Sequence, residues 1–400
     1  MEISAAPSPV IDMGDLMPYA SARRIAGLAE EERALAVTWD DGHESRYHYM
    51  WLRDNCACTA CRHPDTLERR FEIVDVPDDL RPAHAEVTDA GALRLVWPAT
   101  SADPEGHESL YDPGWLRRHC YAEASRAARR ARVTTWGTEL TGNVPTVEHT
   151  DLMTGEVGLR RWLTALTEQG VALLRNGPTA DREVLRVAER VGPPRGTNFG
   201  LHFDVQSKPK PNNSAYTAAG LAPHADLPNW RRAPDFQLLY CLANEAEGGE
   251  SILVDGFRVA EVLRETDPES FEVLTTVPVD FRFQDAGSDI RFRSPTIVLG
   301  PDGELSEIRF NNWIRDTLDA PDSRMDALYR AYRAFWRMLR DPAYQVRLRL
   351  DAGQMVAFDN LRILHGREGF DPNTGFRHLQ GTYLDRDLVE SRLRVLERGG

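Results

Sequence analysis

The chain has few of the features that would send it to a membrane. No stretch approaches ~18 uninterrupted apolar residues, and the start, MEISAAPSPVIDMGDLMPYA, has no basic segment leading into a long apolar run. A soluble cytoplasmic protein with no membrane partner is expected. Positive charge is also in short supply: Lys and Arg number 48 against 62 Asp and Glu, a net charge of -14. A long polyanion such as DNA is repelled on average, so no nucleic-acid partner is expected. The one short basic run, Arg126, Arg129, Arg130 and Arg132, reads as a solvated helix face. Cysteine is scarce, with five in 400 residues. Cys56, Cys58 and Cys61 lie too close together for a disulfide framework in a chain without an export signal, which points to a metal instead.

What is present describes a globular protein of two parts, with 42% hydrophobic and 28% charged residues. Residues 1–125 alternate strand-like runs (Ala34 to Trp39, Leu93 to Trp97) with Pro, Asp and Gly turns and contain the cysteine cluster; they read as a small β-rich domain. Residues 126–400 form the second domain. It opens with a helix, in which Leu159, Trp162, Leu163 and Leu166 recur at helical spacing, followed by the strand-like Val171 to Leu174 and a helix carrying Val184, Leu185, Ala188 and Val191 on one face. Strand signals then dominate: Phe236 to Leu242, Ser251 to Val254, Val277 to Phe283, Ile297 to Leu299, Glu307 to Phe310, Val346 to Leu350, Met355 to Phe358 and His378 to Tyr383. So many strands in succession predict a jelly roll or barrel. One helix interrupts them, with Met325, Leu328, Tyr329, Tyr332, Phe335, Trp336 and Leu339 as its core-facing stripe and Asp341-Pro342 as its end.

Chemistry concentrates in LAPHADLPNW. Pro223 and Pro228 argue against a helix, and on an extended or lightly turned backbone His224 and Asp226 project from the same face, able to bind one ion together. The same His-x-Asp spacing also suits an ordinary surface turn. A third ligand is offered by His365, which closes the strand-like run MVAFDNLRIL just before a glycine. Two imidazoles and one carboxylate leave three coordination positions open, as in non-haem Fe(II) oxygenases, although zinc hydrolases use similar ligands. Arg377 follows His365 by 12 residues at the start of the next strand-like run. A guanidinium there supplies the rigid two-pronged donor that the distal carboxylate of 2-oxoglutarate needs.

HAD at 224–226, GGESILVDGF, FNNWIRDT, FDNLRILHGR and RHLQGTYLDRD together resemble the γ-butyrobetaine dioxygenase family, including its trimethyllysine dioxygenase relatives, over nearly the whole chain. The resemblance implies a mainly β architecture with flanking helices, a double-stranded β-helix (jelly roll) like that of clavaminate synthase and taurine dioxygenase, preceded by a small zinc-binding β-rich domain. It implies an enzyme that uses Fe(II), 2-oxoglutarate and O2 to hydroxylate an unactivated C–H bond of a small molecule, with His224, Asp226 and His365 on iron and Arg377 on 2-oxoglutarate. A homodimer and ascorbate as a stimulant are expected on the same ground.

WLRDNCACTACRHP places three soft ligands at 56, 58 and 61, well suited to zinc. Spacing alone leaves His63, His84, His107, His119 and Cys120 competing for the fourth position. The resemblance selects His107, at the head of HESLYDPGWL, and the closed site would be structural. The resemblance also implies an aromatic cage for a quaternary ammonium, here Phe199, Phe203, Tyr216 and Tyr383. Asn213 then falls beside the cosubstrate, and Asn311 and Asn312 beside the substrate. Phe199 and Phe203 stand where more electron-rich Tyr and Trp are expected. γ-Butyrobetaine, converted to carnitine, is the first candidate substrate; trimethyllysine, a trimethylammonium phosphonate and an amine of specialised metabolism follow. A catalytically dead, zinc-stabilised binding protein is the alternative from another class. It is disfavoured by an intact ligand set, while Asp226 argues against a halogenase.

Overall fold

The computed structural model describes residues 11–19, 23–101, 103–206 and 218–398. The chain divides into two compact units, residues 1–130 and 131–399. The helix Glu123–Ala128 belongs whole to the first unit and carries only Arg126 of the basic run.

The first unit contains two three-stranded antiparallel sheets. One has the order Ile25–Glu30, Ala34–Trp39, Glu44–His48, and the other His84–Val87, Leu93–Trp97, His107–Tyr111. Alternation sends Leu35, Val37, Trp39 and Tyr47 from one sheet, and Leu93, Leu95, Trp97 and Tyr111 from the other, into one shared core. Trp39 and Trp97 each donate their indole N–H to a buried serine, Ser45 and Ser109, at 2.9 Å.

The second unit is a double-stranded β-helix. Its six-stranded sheet runs Thr146–Glu148, Val171–Arg175, Met355–Asp359, Phe236–Asn244, Arg377–Leu384, Phe203–Val205, and its four-stranded sheet runs Leu221–His224, Ile363–Arg367, Ser251–Asp255, Gln345–Leu348. Period-two alternation fixes what each face does. In Phe236–Asn244, Phe236, Leu238 and Tyr240 pack on the helices Glu156–Glu168, Glu183–Glu189 and Arg386–Arg398. The alternate residues Leu239 and Cys241 face Leu253, Val346 and Ile363 of the opposite sheet. The outer face of the smaller sheet, Ile252, Val254 and Leu364, is covered by the helices Gly256–Thr266, Pro268–Thr276 and Asp322–Arg340.

Several elements differ from the sequence reading, each for a local reason. MVAFDNLRIL is not one strand: Met355–Asp359 lies in the larger sheet and Ile363–Arg367 in the smaller, so His365 sits mid-strand. The strand expected at Glu307 to Phe310 is Leu305–Ile308, because the Phe310 carbonyl instead accepts the Ala225 N–H at 2.8 Å. The helices Gly256–Thr266 and Pro268–Thr276 were not anticipated, although Asp255 caps the first and Asp267 the second, with Pro268 at its first turn. In the helix Asp322–Arg340, Leu328, Ala331, Tyr332, Phe335 and Leu339 are buried, whereas Tyr329 is exposed. Among the described residues no helix is long and apolar enough to cross a membrane.

Candidate active site and metal centres

The strand Leu221–His224 pairs with Ile363–Arg367 so that His224 lies directly opposite His365. Their ring centroids are 4.4 Å apart. Asp226 lies just past the end of the strand Leu221–His224, on turned backbone. The chain leaves at His224, Ala225 is tied to Phe310, and Leu227 takes a left-handed φ of 54°. This turn points the Asp226 carboxylate back at both rings, with Oδ1 lying 3.5 Å from His224 Nε2 and 3.8 Å from His365 Nε2.

The protonation states suit a cation. His224 Nδ1 is 3.0 Å from the Ala222 carbonyl, which can only accept, so Nδ1 carries a hydrogen and Nε2 is the ring atom turned toward Asp226. Burial, then the neighbouring His224, pushes the His365 pKa down to about 3, so the ring is neutral at ordinary pH. Burial raises the Asp226 carboxyl, but the facing histidines and the Tyr383 hydroxyl outweigh it and hold it well below the usual carboxylate range. Two imidazoles and one carboxylate converge with all ligand atoms within 4.8 Å of one another. That donor set fits a divalent transition metal with open positions.

Asn360, which the sequence reading did not single out, holds this geometry. It is buried; its Oδ1 accepts the Asp226 N–H at 2.7 Å, and its Nδ2 donates to the Asp226 and Pro234 carbonyls at 3.0 and 2.9 Å. Asn311 has a related task, donating to the Ala225 carbonyl at 3.2 Å and accepting the Trp313 N–H at 3.0 Å. It is buried and lines the cavity, whereas Asn312, the other asparagine expected beside the substrate, is not among the lining residues. Asn213 and Tyr216 lie outside the described residues.

A cavity of about 630 Å³ opens on the triad. At one end is Arg377, buried and aligned with Leu379 and Tyr383 by the alternation of its strand. Its guanidinium carbon lies 5.4 Å from the Phe370 ring, its Nε has no hydrogen-bond partner, and no carboxylate of the described residues pairs with it. Burial lowers its pKa. The GGES motif makes room for this side chain: a Cβ on Gly249, at φ +71°, would stand 3.1 Å from Arg377 Nε. A buried cation without an acid fits an anionic ligand that enters from solution. Arg367 lines the same end, donates to the Ala219 carbonyl at 2.8 Å, and has its pKa pushed down to about 10 by burial and by Arg377.

Aromatic rings wall the rest. Tyr383 lies 5.3 Å from Phe203, Phe203 6.5 Å from Phe199, and Phe199 5.7 Å from Phe283, centroid to centroid. The Trp313 and His224 ring centroids lie 5.5 Å apart, with the planes at 71°. Phe283 and Trp313 escaped the sequence reading because one lies on the hairpin Val279–Ser294 and the other in a turn, and neither sits near a ligand in sequence.

In the first unit, Cys56 follows the helix Tyr49–Asp54, Cys58 and Cys61 share a tight turn, and His107 begins its strand. The three sulfurs lie 3.2, 3.6 and 3.5 Å from His107 Nε2, a Cys3His set suited to tetrahedral zinc. The buried Arg53 donates to Cys61 Sγ at 3.3 Å and grips Asp103 through Nε and Nη2 at 3.1 and 2.5 Å.

A double-stranded β-helix with a two-histidine, one-carboxylate triad at its open end defines a non-haem iron dioxygenase. The family described as "Taurine catabolism dioxygenase TauD, TfdA family" matches residues 130–383 and "Gamma-butyrobetaine hydroxylase-like, N-terminal" matches residues 27–117. The chain is 41% identical over 377 residues to a γ-butyrobetaine dioxygenase of Pseudomonas sp. (strain AK-1), covering 94% of this chain and 96% of that one. It is 32% identical to the human γ-butyrobetaine dioxygenase, over 91% and 94% of the two chains, and 31% identical to the trimethyllysine dioxygenase of Meyerozyma guilliermondii, over 94% and 96%. The protein belongs to the γ-butyrobetaine and trimethyllysine dioxygenase family of Fe(II)- and 2-oxoglutarate-dependent oxygenases.

Proposed function

We propose that this enzyme hydroxylates a small zwitterion with a trimethylammonium head, γ-butyrobetaine to carnitine being the first reaction to test. In this reading His224, Asp226 and His365 hold iron, and Arg377 holds the distal carboxylate of 2-oxoglutarate. When bound, the metal and its cosubstrate supply the O2-dependent oxidation that inserts oxygen into a C–H bond, with succinate and CO2 released. The protein's own residues do the rest. The observation that carries the substrate class is the run of rings Tyr383, Phe203, Phe199 and Phe283 lining the cavity beside the triad. A permanent, weakly hydrated cation gains ~0.5–2 kcal/mol over such faces. The relatives named for γ-butyrobetaine and trimethyllysine support the same class.

The phenylalanines favour a second reading within the same chemistry. A less electron-rich cage suits trimethyllysine, a trimethylammonium phosphonate or a bulkier amine as well as γ-butyrobetaine. Titration of the metal- and 2-oxoglutarate-loaded protein with γ-butyrobetaine, trimethyllysine, a dimethylamino analogue and a neutral tert-butyl isostere separates these. Tightest binding of one trimethylammonium compound supports the cage. Equal binding of the tert-butyl isostere would refute cation recognition, because that compound has the shape without the charge. We propose further that the enzyme works as a cytoplasmic homodimer with a structural zinc on Cys56, Cys58, Cys61 and His107. Light scattering of the purified protein and one zinc per chain by elemental analysis test both points.

A further inference from the structure

Asp226 uses its two oxygens differently. Oδ1 faces both imidazoles, while Oδ2 accepts a hydrogen bond at 2.8 Å from the hydroxyl of Tyr383. Tyr383 is buried, and its ring is a wall of the substrate cavity, 5.3 Å from Phe203 and tilted by 33°. One residue therefore belongs to two assemblies. Strand alternation accounts for the placement: Arg377, Leu379 and Tyr383 face inward, and Tyr383 sits opposite Gln237 in the register of the larger sheet. Gly381 lies between them on the same face, and a Cβ there would stand 2.3 Å from the Phe203 ring, so Phe203 is seated against the strand that carries Tyr383.

We propose that Tyr383 is a positioning residue for the metal as well as a wall for the substrate: its hydroxyl occupies Asp226 Oδ2, leaving Oδ1 as a single coordinating atom. This rests on the assignment of His224, Asp226 and His365 as the metal ligands. The physical argument is that a carboxylate free to rotate can close on a cation through both oxygens and use up a position that cosubstrate or O2 needs. A hydrogen bond to one oxygen removes that option and fixes the direction of the other; such outer partners are typically worth roughly 10- to 100-fold in metal affinity.

Co(II) binding, followed by its visible absorption in the presence of 2-oxoglutarate, tests this without turnover. Four proteins are compared: wild type, Tyr383→Phe, Phe203→Leu and Asp226→Ala. The proposal expects Tyr383→Phe to bind Co(II) roughly 10- to 100-fold more weakly with an altered spectrum. Phe203→Leu, which disturbs the same packing but keeps the hydroxyl, should bind as wild type does. Matching melting curves of the metal-free Tyr383→Phe and wild-type proteins show that the ring still packs. Wild-type affinity and spectrum in Tyr383→Phe, with binding lost in Asp226→Ala, overturn the proposal and leave the ligand assignment standing. Equal loss in Phe203→Leu and Tyr383→Phe also overturns it, since packing rather than the hydroxyl would then control the metal. Undiminished binding in Asp226→Ala overturns the ligand assignment itself, and the proposal with it.

Discussion

Replacing Arg377 with methionine should have opposite consequences for the empty and the loaded enzyme. The guanidinium is buried against Phe370, its Nε has no partner, and no carboxylate of the described residues neutralises it. An arginine retained for stability would be paired, as Arg362 is with Asp255 through bonds of 3.0 and 2.7 Å. Without ligand, Arg377 is a desolvated charge whose removal relieves the protein; an effective penalty of even ~1 kcal/mol corresponds to about 2–4 °C in Tm for a domain of this size. With 2-oxoglutarate present, the wild type gains ~2.7 kcal/mol at a ligand concentration about 100 times Kd, and the variant should gain almost none of it. Loss of two charge-assisted hydrogen bonds of ~1.5–3 kcal/mol each removes at least about 100-fold in affinity. Thermal melting of the Co(II)-loaded proteins with and without 2-oxoglutarate reads both effects. A variant that melts several degrees below wild type when empty, yet is still stabilised by 2-oxoglutarate, would refute the reasoning.

Three further outcomes follow from the geometry. Gly381→Ala places a methyl 2.3 Å from the Phe203 ring, so the cage must shift; KM for the trimethylammonium substrate should rise well before KM for 2-oxoglutarate does. Asn360→Ala removes three hydrogen bonds of a buried side chain, two to the Asp226 backbone and one to the Pro234 carbonyl, and should lower stability by ~2–4 kcal/mol in chemical denaturation, with weaker metal binding at temperatures where the protein is still folded. Removal of zinc by a strong chelator, or Cys56→Ser, should unfold residues of the first unit around the Cys3His cluster; hydrogen exchange would show protection lost in the strands Leu93–Trp97 and His107–Tyr111 and restored by zinc.

Much of this was legible because it depends on short-range periodicity. Arg377, placed at the start of the strand-like run that ends at Tyr383, does lie on that strand, and both residues line the cavity. The apolar stripe from Leu328 to Leu339 predicts a helix, and the three cysteines predict a soft-metal site. The features that were missed depend on long-range or turn geometry. That His365 lies in a different sheet from Met355–Asp359 follows from a corner built by Asp359, Asn360 and Arg362, whose partners Arg386, Asp226 and Asp255 are distant in sequence. Asn360 looks like an ordinary turn asparagine until the chain brings Asp226 to it. Phe283 reaches the cavity only because the hairpin Val279–Ser294 folds over it, and no local pattern encodes that. Of the two asparagines that the resemblance set beside the substrate, Asn311 lines the cavity, and no local pattern distinguishes it from Asn312.

The central claim, an oxygenase whose turnover is driven by a trimethylammonium zwitterion, is tested most directly by succinate release from the Fe(II)-loaded protein with 2-oxoglutarate and O2. The assay would be run with and without ascorbate and with and without each of γ-butyrobetaine, trimethyllysine and a trimethylammonium phosphonate, with Asp226→Ala as control. The account predicts that one of these substrates raises succinate formation many-fold over the substrate-free rate, in equimolar step with hydroxylated product, and that Asp226→Ala abolishes it. Succinate formation indifferent to every quaternary ammonium, or unchanged in Asp226→Ala, would contradict it.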